Sequence, residues 1–205
     1  MALLRTLLAS LAIALAGGGA LAAVTDGFRA FTAESARRME VRAHPVEIPA
    51  VTLQVQSGAH IDLADFRGQW LLVDFIYTRC PTVCLALGAD FAQLQRLLAK
   101  PIATGRLRLL SVSFDPGHDS PGRLADYLQR FGDRGAGWVA ARPITADGLG
   151  QLKRAFGITV VPDAYGGYTH NAAIHLVDPR GRLVEILDRG DAERVAQDVR
   201  RRLGS

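Results

Sequence analysis

Two apolar runs fix most of what this chain can become. Trp70 to Ile76 (WLLVDFI) and Leu107 to Ser113 (LRLLSVS) are nearly continuous in apolar residues, which predicts strands covered on both faces. Between them Leu87, Phe91, Leu94 and Leu98 fall at helical spacing. A strand, a helix and a second buried strand form a crossover unit, whose strands lie parallel in one sheet. Downstream, LADYLQRF reads as a helix, GWVAA as a short strand and GLGQLKRAFG as another helix. Upstream, VTLQVQSGAHIDL alternates apolar and polar residues around Ser57-Gly58, the pattern of a β-hairpin at the start of the domain. AAIHLV and RLVEIL predict a second hairpin, joined by Asp178-Pro179-Arg180-Gly181 with Pro and Gly where a type I turn favours them. A helix from about Asp191 to Arg202 closes the chain. The expected fold is an α/β sandwich, with a central mixed sheet, parallel in its first half, and helices on both faces.

The chain's 205 residues, 49% hydrophobic and 21% charged, suit one globular domain plus an extension. We place the domain at 45–205. The net charge of +4 is spread along the chain instead of forming a basic stripe interleaved with aromatics, so no nucleic-acid partner is expected. Mild basicity also suits work beside an anionic membrane.

Residues 1–23 read as a signal peptide or a membrane anchor. A single charge, Arg5, precedes an apolar stretch from Leu7 to Val24, and Ala20-Leu21-Ala22 offers a cleavage-like site before Ala23. The same stretch is long enough to span a bilayer. Either way the expected location is the periplasmic side of a bacterial inner membrane, an oxidising space. Residues 24–44 form a tether, whose first half can make a short helix with Thr32 and Ser35 near its start and Arg37-Arg38 toward its end.

Cys80 and Cys84 are the only cysteines, and they sit where a buried strand turns into a helix. A structural staple, a redox couple and a soft-metal clamp are the three readings of such a pair. Closing so short a loop stabilises by roughly 2 kcal/mol on the chain-entropy estimate, which weakens the first. Pro81 suits the first helical position, and a helix including both cysteines would stack their side chains on one face. The positive end of that helix is expected to lower both thiol pKa values.

Two thiolates alone can hold Cu(I), but an imidazole completes a trigonal soft site, so a third ligand distinguishes the metal reading from the redox one. Of the five histidines, His44 lies in the tether, His60 in the hairpin and His118 in the loop FDPGHDSP. His170 and His175 flank or enter one strand, where period-two alternation sets them on opposite faces. His170, at the strand's entry after the loop 163–169, is the better placed. Structural zinc would require four ligands, which one cysteine pair and this histidine spacing do not supply. Methionine ligation has only Met1 and Met39 to draw on.

Three motifs carry a family resemblance. Phe75-Ile76-Tyr77-Thr78-Arg79-Cys80-Pro81-Thr82-Val83-Cys84 resembles the F-x-Y-T-x-C-P-x-x-C signature of the Sco/SenC family, exported copper proteins of thioredoxin-like fold. Ser111 to Pro121 is similar to that family's S-V-D-P-x-x-D-T-P loop, and Tyr168-Thr169-His170 with Leu176 to Arg182 to its histidine loop and hairpin. The resemblance covers about Val51 to Leu203. It implies a thioredoxin-like sandwich that binds copper, as Cu(I) or Cu(II), through Cys80, Cys84 and His170. It further implies delivery to the CuA centre of cytochrome c oxidase subunit II or to another exported copper protein. The alternative is a thiol-disulfide oxidoreductase, in which Cys80 and Cys84 are a redox-active pair served by a thioredoxin-like reductant. Two positions depart from the family pattern. Thr169 stands where an acidic residue usually precedes the histidine, and Leu85 where proline commonly follows the second cysteine. Asp115 and Asp119 are candidates for shaping the site, and equally for turn formation and capping ahead of Leu124 to Phe131.

Overall fold

The computed structural model describes every residue except 1, 26, 28–31, 81, 133–136, 165 and 205. The chain divides into two compact units, Met1–His44 and Pro45–Ser205.

In the first unit, α1 (Ala2–Val24) is 23 residues of almost unbroken apolar sequence with no buried residue. At about 1.5 Å per residue it is long enough to cross a hydrocarbon core of about 30 Å, and its hydropathy of 2.1 suits a membrane span or a signal sequence alike. The second helix, α2 (Ala33–Ala43), starts where the sequence places it. The Thr32 hydroxyl accepts the Ser35 N–H at 3.0 Å as its N-cap, and Arg38 reaches back one turn to Glu34 at 3.1 Å.

The second unit is built on an eight-stranded sheet. Its strands in chain order are β1 (Val46–Glu47), β2 (Thr52–Val55), β3 (His60–Asp62), β4 (Trp70–Ile76), β5 (Leu107–Ser113) and β6 (Trp138–Pro143), followed after a separate pair by β9 (Ile174–Val177) and β10 (Arg182–Leu187). Across the sheet they run β1-β10-β9-β4-β5-β6-β2-β3. β4, β5 and β6 are parallel, and every other neighbour is antiparallel. The two buried runs of the sequence are thus the central parallel pair, paired residue for residue from Trp70↔Leu107 to Ile76↔Ser113.

The helices are α3 (Val83–Leu97), α4 (Ala99–Ala103), α5 (Pro121–Arg130), α6 (Ala146–Phe156) and α7 (Ala192–Leu203). They cover both faces. On one, Trp138 meets Phe91 of α3 at 5.7 Å and Tyr127 of α5 at 6.2 Å between ring centroids, and α7 packs on α3. On the other, Phe75 meets Phe156 of α6 at 5.1 Å. Alternation along β4 requires this division, because Asp74 and Phe75 point to opposite sides.

Both predicted hairpins are present. β2 and β3 turn through Gly58, whose φ of 85° is a conformation glycine adopts without strain. β9 and β10 turn at Asp178, whose carboxylate accepts the N–H groups of Arg180 and Arg182 and the Arg182 guanidinium.

One stretch differs from its sequence reading. Within the stretch read as the loop 163–169, Tyr168 and Thr169 belong to a strand: β7 (Val160–Pro162) and β8 (Tyr168–His170) form a small two-stranded ribbon, which pairs with no strand of the large sheet. His170 and His175 consequently lie on separate strands, not on opposite faces of one.

Candidate functional site

The loops that build the site leave the carboxyl ends of the adjacent parallel strands β4 and β5, the rim where open α/β sheets place their chemistry. A buried carboxylate ties the two loops together. Asp119, fully inaccessible, accepts the Thr78 main-chain N–H at 3.1 Å, the Thr78 hydroxyl at 2.6 Å and the Ser113 hydroxyl at 2.5 Å. Beside it Asp115 binds Arg79 and His118, each at 2.9 Å. Burial raises its pKa, but these two partners outweigh that effect and hold the carboxyl below its usual range. The capping of α5 falls instead to the Ser120 hydroxyl. Asp115 and Asp119 therefore shape the turn that carries the cysteines.

Cys80 lies outside the helix and Cys84 inside its first turn, since α3 begins at Val83. The expected stacking of both side chains on one helical face does not occur. Instead the Cys84 main-chain N–H points at the Cys80 sulfur, 3.4 Å away. Pro81 lies outside the described residues. Both thiols are unbridged and buried.

The two sulfurs also differ electrostatically, where the sequence led us to expect both pKa values lowered. Burial acts to raise the Cys80 pKa, but the N–H groups of Cys84 and Thr82 and the side chains of Cys84 and Tyr77 outweigh it, and the net shift is downward. Cys84 lies deeper, with 1% of its surface exposed, and burial together with the neighbouring Cys80 and Asp74 pushes its pKa strongly up. The helix end favours one thiolate, and desolvation keeps the second sulfur protonated.

The ribbon delivers His170 to this pair. Its Nε2 stands 3.8 Å from the Cys84 sulfur, and its ring packs edge-on against Phe114 with centroids 4.9 Å apart. Burial, assisted by the positive charge of Arg189, lowers its pKa to about 4, so at neutral pH it is an uncharged imidazole able to donate a lone pair. Its other nitrogen, Nδ1, is buried without a hydrogen-bond partner among the described residues. Two sulfurs and a neutral imidazole are a donor set for a soft ion such as Cu(I). They are neighbours rather than a closed cage: among the described residues no three His, Cys, Asp or Glu side chains converge tightly enough to form a metal cluster.

The remaining histidines are elsewhere. His44 pairs with Glu40 on α2, His60 lies on exposed β3, and His118 is held by Asp115. His175 is buried edge-on between Phe75 and Phe156.

Three residues at the site went unread in the sequence. Tyr77 closes the cysteine turn, its carbonyl accepting the Cys80 N–H at 3.2 Å. Tyr127 donates its hydroxyl to the Cys84 carbonyl at 3.3 Å. Asp74 lies wholly inside the domain, neither carboxylate oxygen hydrogen-bonded among the described residues, and burial raises its pKa to about 7. Asp74 leaves a sequence signal as an acid within an otherwise apolar strand, Tyr77 one as a fixed position of the cysteine signature, and Tyr127 none.

The family model described as SCO1/SenC matches residues 40–204, which spans the whole of the second unit up to its last residue. The chain belongs to the SCO1/SenC family. It is 26% identical over 141 residues to the SCO1 protein homolog of Bacillus subtilis, covering 68% of this chain and 72% of that protein. To the bovine mitochondrial SCO2 homolog it is 30% identical over 148 residues, covering 69% of this chain but only 54% of the relative. Among solved Sco structures, Bradyrhizobium japonicum ScoI with copper bound superposes with a TM-score of 0.64 at 24% identity, over 76% of this chain and 98% of that one. BsSco, described with a disulfide switch and as a member of the Sco family of cytochrome c oxidase assembly proteins, superposes with a TM-score of 0.65 at 24% identity, over 77% and 94%. The fold is the thioredoxin-like sandwich of the Sco proteins.

Proposed function

We propose that this SCO1/SenC protein is an exported copper carrier, which takes one copper ion through Cys80, Cys84 and His170 and passes it to an assembling cytochrome c oxidase. The observation that carries the reading is the 3.8 Å approach of the His170 Nε2 to the Cys84 sulfur, on an imidazole kept neutral by burial. Copper bound to the Bradyrhizobium relative supports the choice of metal, and the oxidase-assembly role of BsSco supports the recipient. Within the oxidase, the CuA centre of subunit II is the acceptor we favour. Copper binding releases the Cys84 proton, and the cation replaces it as the partner of the buried sulfur. The apolar α1 suits export, with retention at the periplasmic face of the inner membrane or cleavage after Ala22.

Titrating the reduced protein with Cu(I), against a chromophoric chelator, tests the reading. His170→Ala is expected to bind at least about tenfold more weakly, the loss of one ligand bond. Equal affinity in the two proteins would remove the histidine from the site.

A second reading rests on the unlike cysteines. Cys80, the more acidic thiol, attacks a disulfide of a partner protein and forms a mixed disulfide, releasing one partner thiolate. Cys84 then displaces the second partner sulfur, its proton passing to the departing partner thiolate, and closes the Cys80–Cys84 disulfide, so the partner gains two electrons and this chain loses two. An exported thioredoxin-like reductant restores the dithiol. Turnover on an oxidised subunit II fragment that survives His170→Ala would favour this reading.

A further inference from the structure

We propose that Tyr77 is a positioning residue, a latch that holds the histidine ribbon on the cysteine turn and so sets where His170 stands relative to Cys84. The inference rests on the copper-site reading above.

The ribbon needs such a latch because no sheet ladder secures it. β7 and β8 pair only with each other. Tyr168 faces Pro162 at a non-hydrogen-bonded position of that pairing, next to the bond from the Asp163 N–H to the Gly167 carbonyl, so its main-chain groups point out of the ribbon. Both turn to the Tyr77 hydroxyl, which accepts the Tyr168 N–H at 3.2 Å and faces the Tyr168 carbonyl at 3.4 Å as donor. Tyr168 is two residues from His170. Tyr77 also accepts the Cys80 N–H through its own carbonyl at 3.2 Å, so one residue grips both segments that carry the candidate ligands.

Packing points the same way. The Tyr77 ring, 4% exposed, meets Phe114 at 5.3 Å and Tyr168 at 5.2 Å, and Phe114 in turn backs His170. Gly167 leaves room at the ribbon bend, where a β-carbon would sit 2.8 Å from the Asp163 carboxylate and 3.1 Å from the Tyr77 hydroxyl. A phenylalanine at 77 keeps the ring contacts and loses the hydroxyl, with its grip on the ribbon and its hydrogen bond to the Cys80 side chain. That separates the latch from the general packing of the turn.

The experiment compares full-length reduced wild type, Tyr77→Phe, His170→Ala and the double variant in detergent micelles. Hydrogen–deuterium exchange is measured first, without metal. The peptide spanning 163–171 is expected to exchange about tenfold faster in Tyr77→Phe, while peptides from β4 and β5 keep wild-type rates. Cu(I) competition follows. Tyr77→Phe is expected to weaken binding about fivefold to tenfold, and to weaken it clearly less in the His170→Ala background, where only the loss of the hydroxyl's contact with the Cys80 sulfur remains.

Wild-type exchange in the ribbon of Tyr77→Phe overturns the latch. So does an equal loss of affinity from Tyr77→Phe with and without His170, which would place its effect elsewhere. If His170→Ala binds copper like wild type, the copper-site reading fails, and the positioning role fails with it even where exchange shows the ribbon loosened.

Discussion

Asp119 holds Thr78 at both its main-chain N–H and its hydroxyl, joining loops 41 residues apart in sequence. Asp119 itself is inaccessible to water, and the same carboxylate takes the Ser113 hydroxyl. The cysteine turn is therefore anchored from beneath at a point two residues before Cys80.

Asp119→Ala is expected to destabilise the domain by about 2–4 kcal/mol, because it leaves a buried N–H and two hydroxyls unpaired. Urea unfolding followed by circular dichroism measures the loss. Stability within about 0.5 kcal/mol of wild type would show that the turn does not depend on this anchor.

Asp74 makes stability depend on pH in a direction opposite to that of a salt-bridged carboxylate. Its pKa rises from an ordinary 3.8 to about 7 on folding, so the native state binds the proton more tightly than the unfolded chain. Its contribution is complete below about pH 4, declines as pH rises through the folded value, and is constant above it. The full span is on the order of 4 kcal/mol. Asp74→Asn cannot ionise, so its stability relative to wild type should improve between pH 4.5 and pH 8. Denaturant midpoints at the two pH values test this, and an unchanged difference would mean that Asp74 stays charged inside the domain.

The unlike thiols predict an order of modification. In the reduced apoprotein at pH 7.5, iodoacetamide should label Cys80 first, and Cys80→Ser should leave Cys84 nearly inert, as its low exposure and raised pKa require. Mass spectrometry of timed samples gives the order. Equal rates would remove the asymmetry on which the oxidoreductase reading depends.

Gly88 marks a close approach of α3 to the turn after α5. A β-carbon there would lie 2.2 Å from the Phe131 ring, so Gly88→Ala must displace that ring. The overpacking should cost about 1–3 kcal/mol, seen as a lower melting temperature in calorimetry.

The fold was legible wherever burial imposes a period. The runs Trp70 to Ile76 and Leu107 to Ser113 became the paired central strands, and Gly58 and Gly181 mark real hairpin turns. The ribbon was not legible, because its strands are three residues long and are interrupted by Pro162 and the Gly166-Gly167 bend, which read as loop. Cys80, Cys84 and His170 could be singled out from residue type and position. The inequality of the two sulfurs could not, because it comes from a difference in depth, which spacing does not encode. Tyr77 and Tyr127 escaped for a related reason: their hydroxyl partners, Tyr168 and Cys84, are 91 and 43 residues distant.

The isolation of the β7–β8 ribbon has a consequence for how such a site can change over generations. A histidine borne on a central strand could be moved or exchanged only by repacking a core. Here the proposed third ligand arrives on a separate ribbon, while the cysteines follow directly from a strand of the main sheet. Substitutions in the ribbon can retune the histidine, as Thr169 already varies the family pattern, without disturbing the framework that folds the protein. Coordination and foldability are heritable on separate segments of one chain.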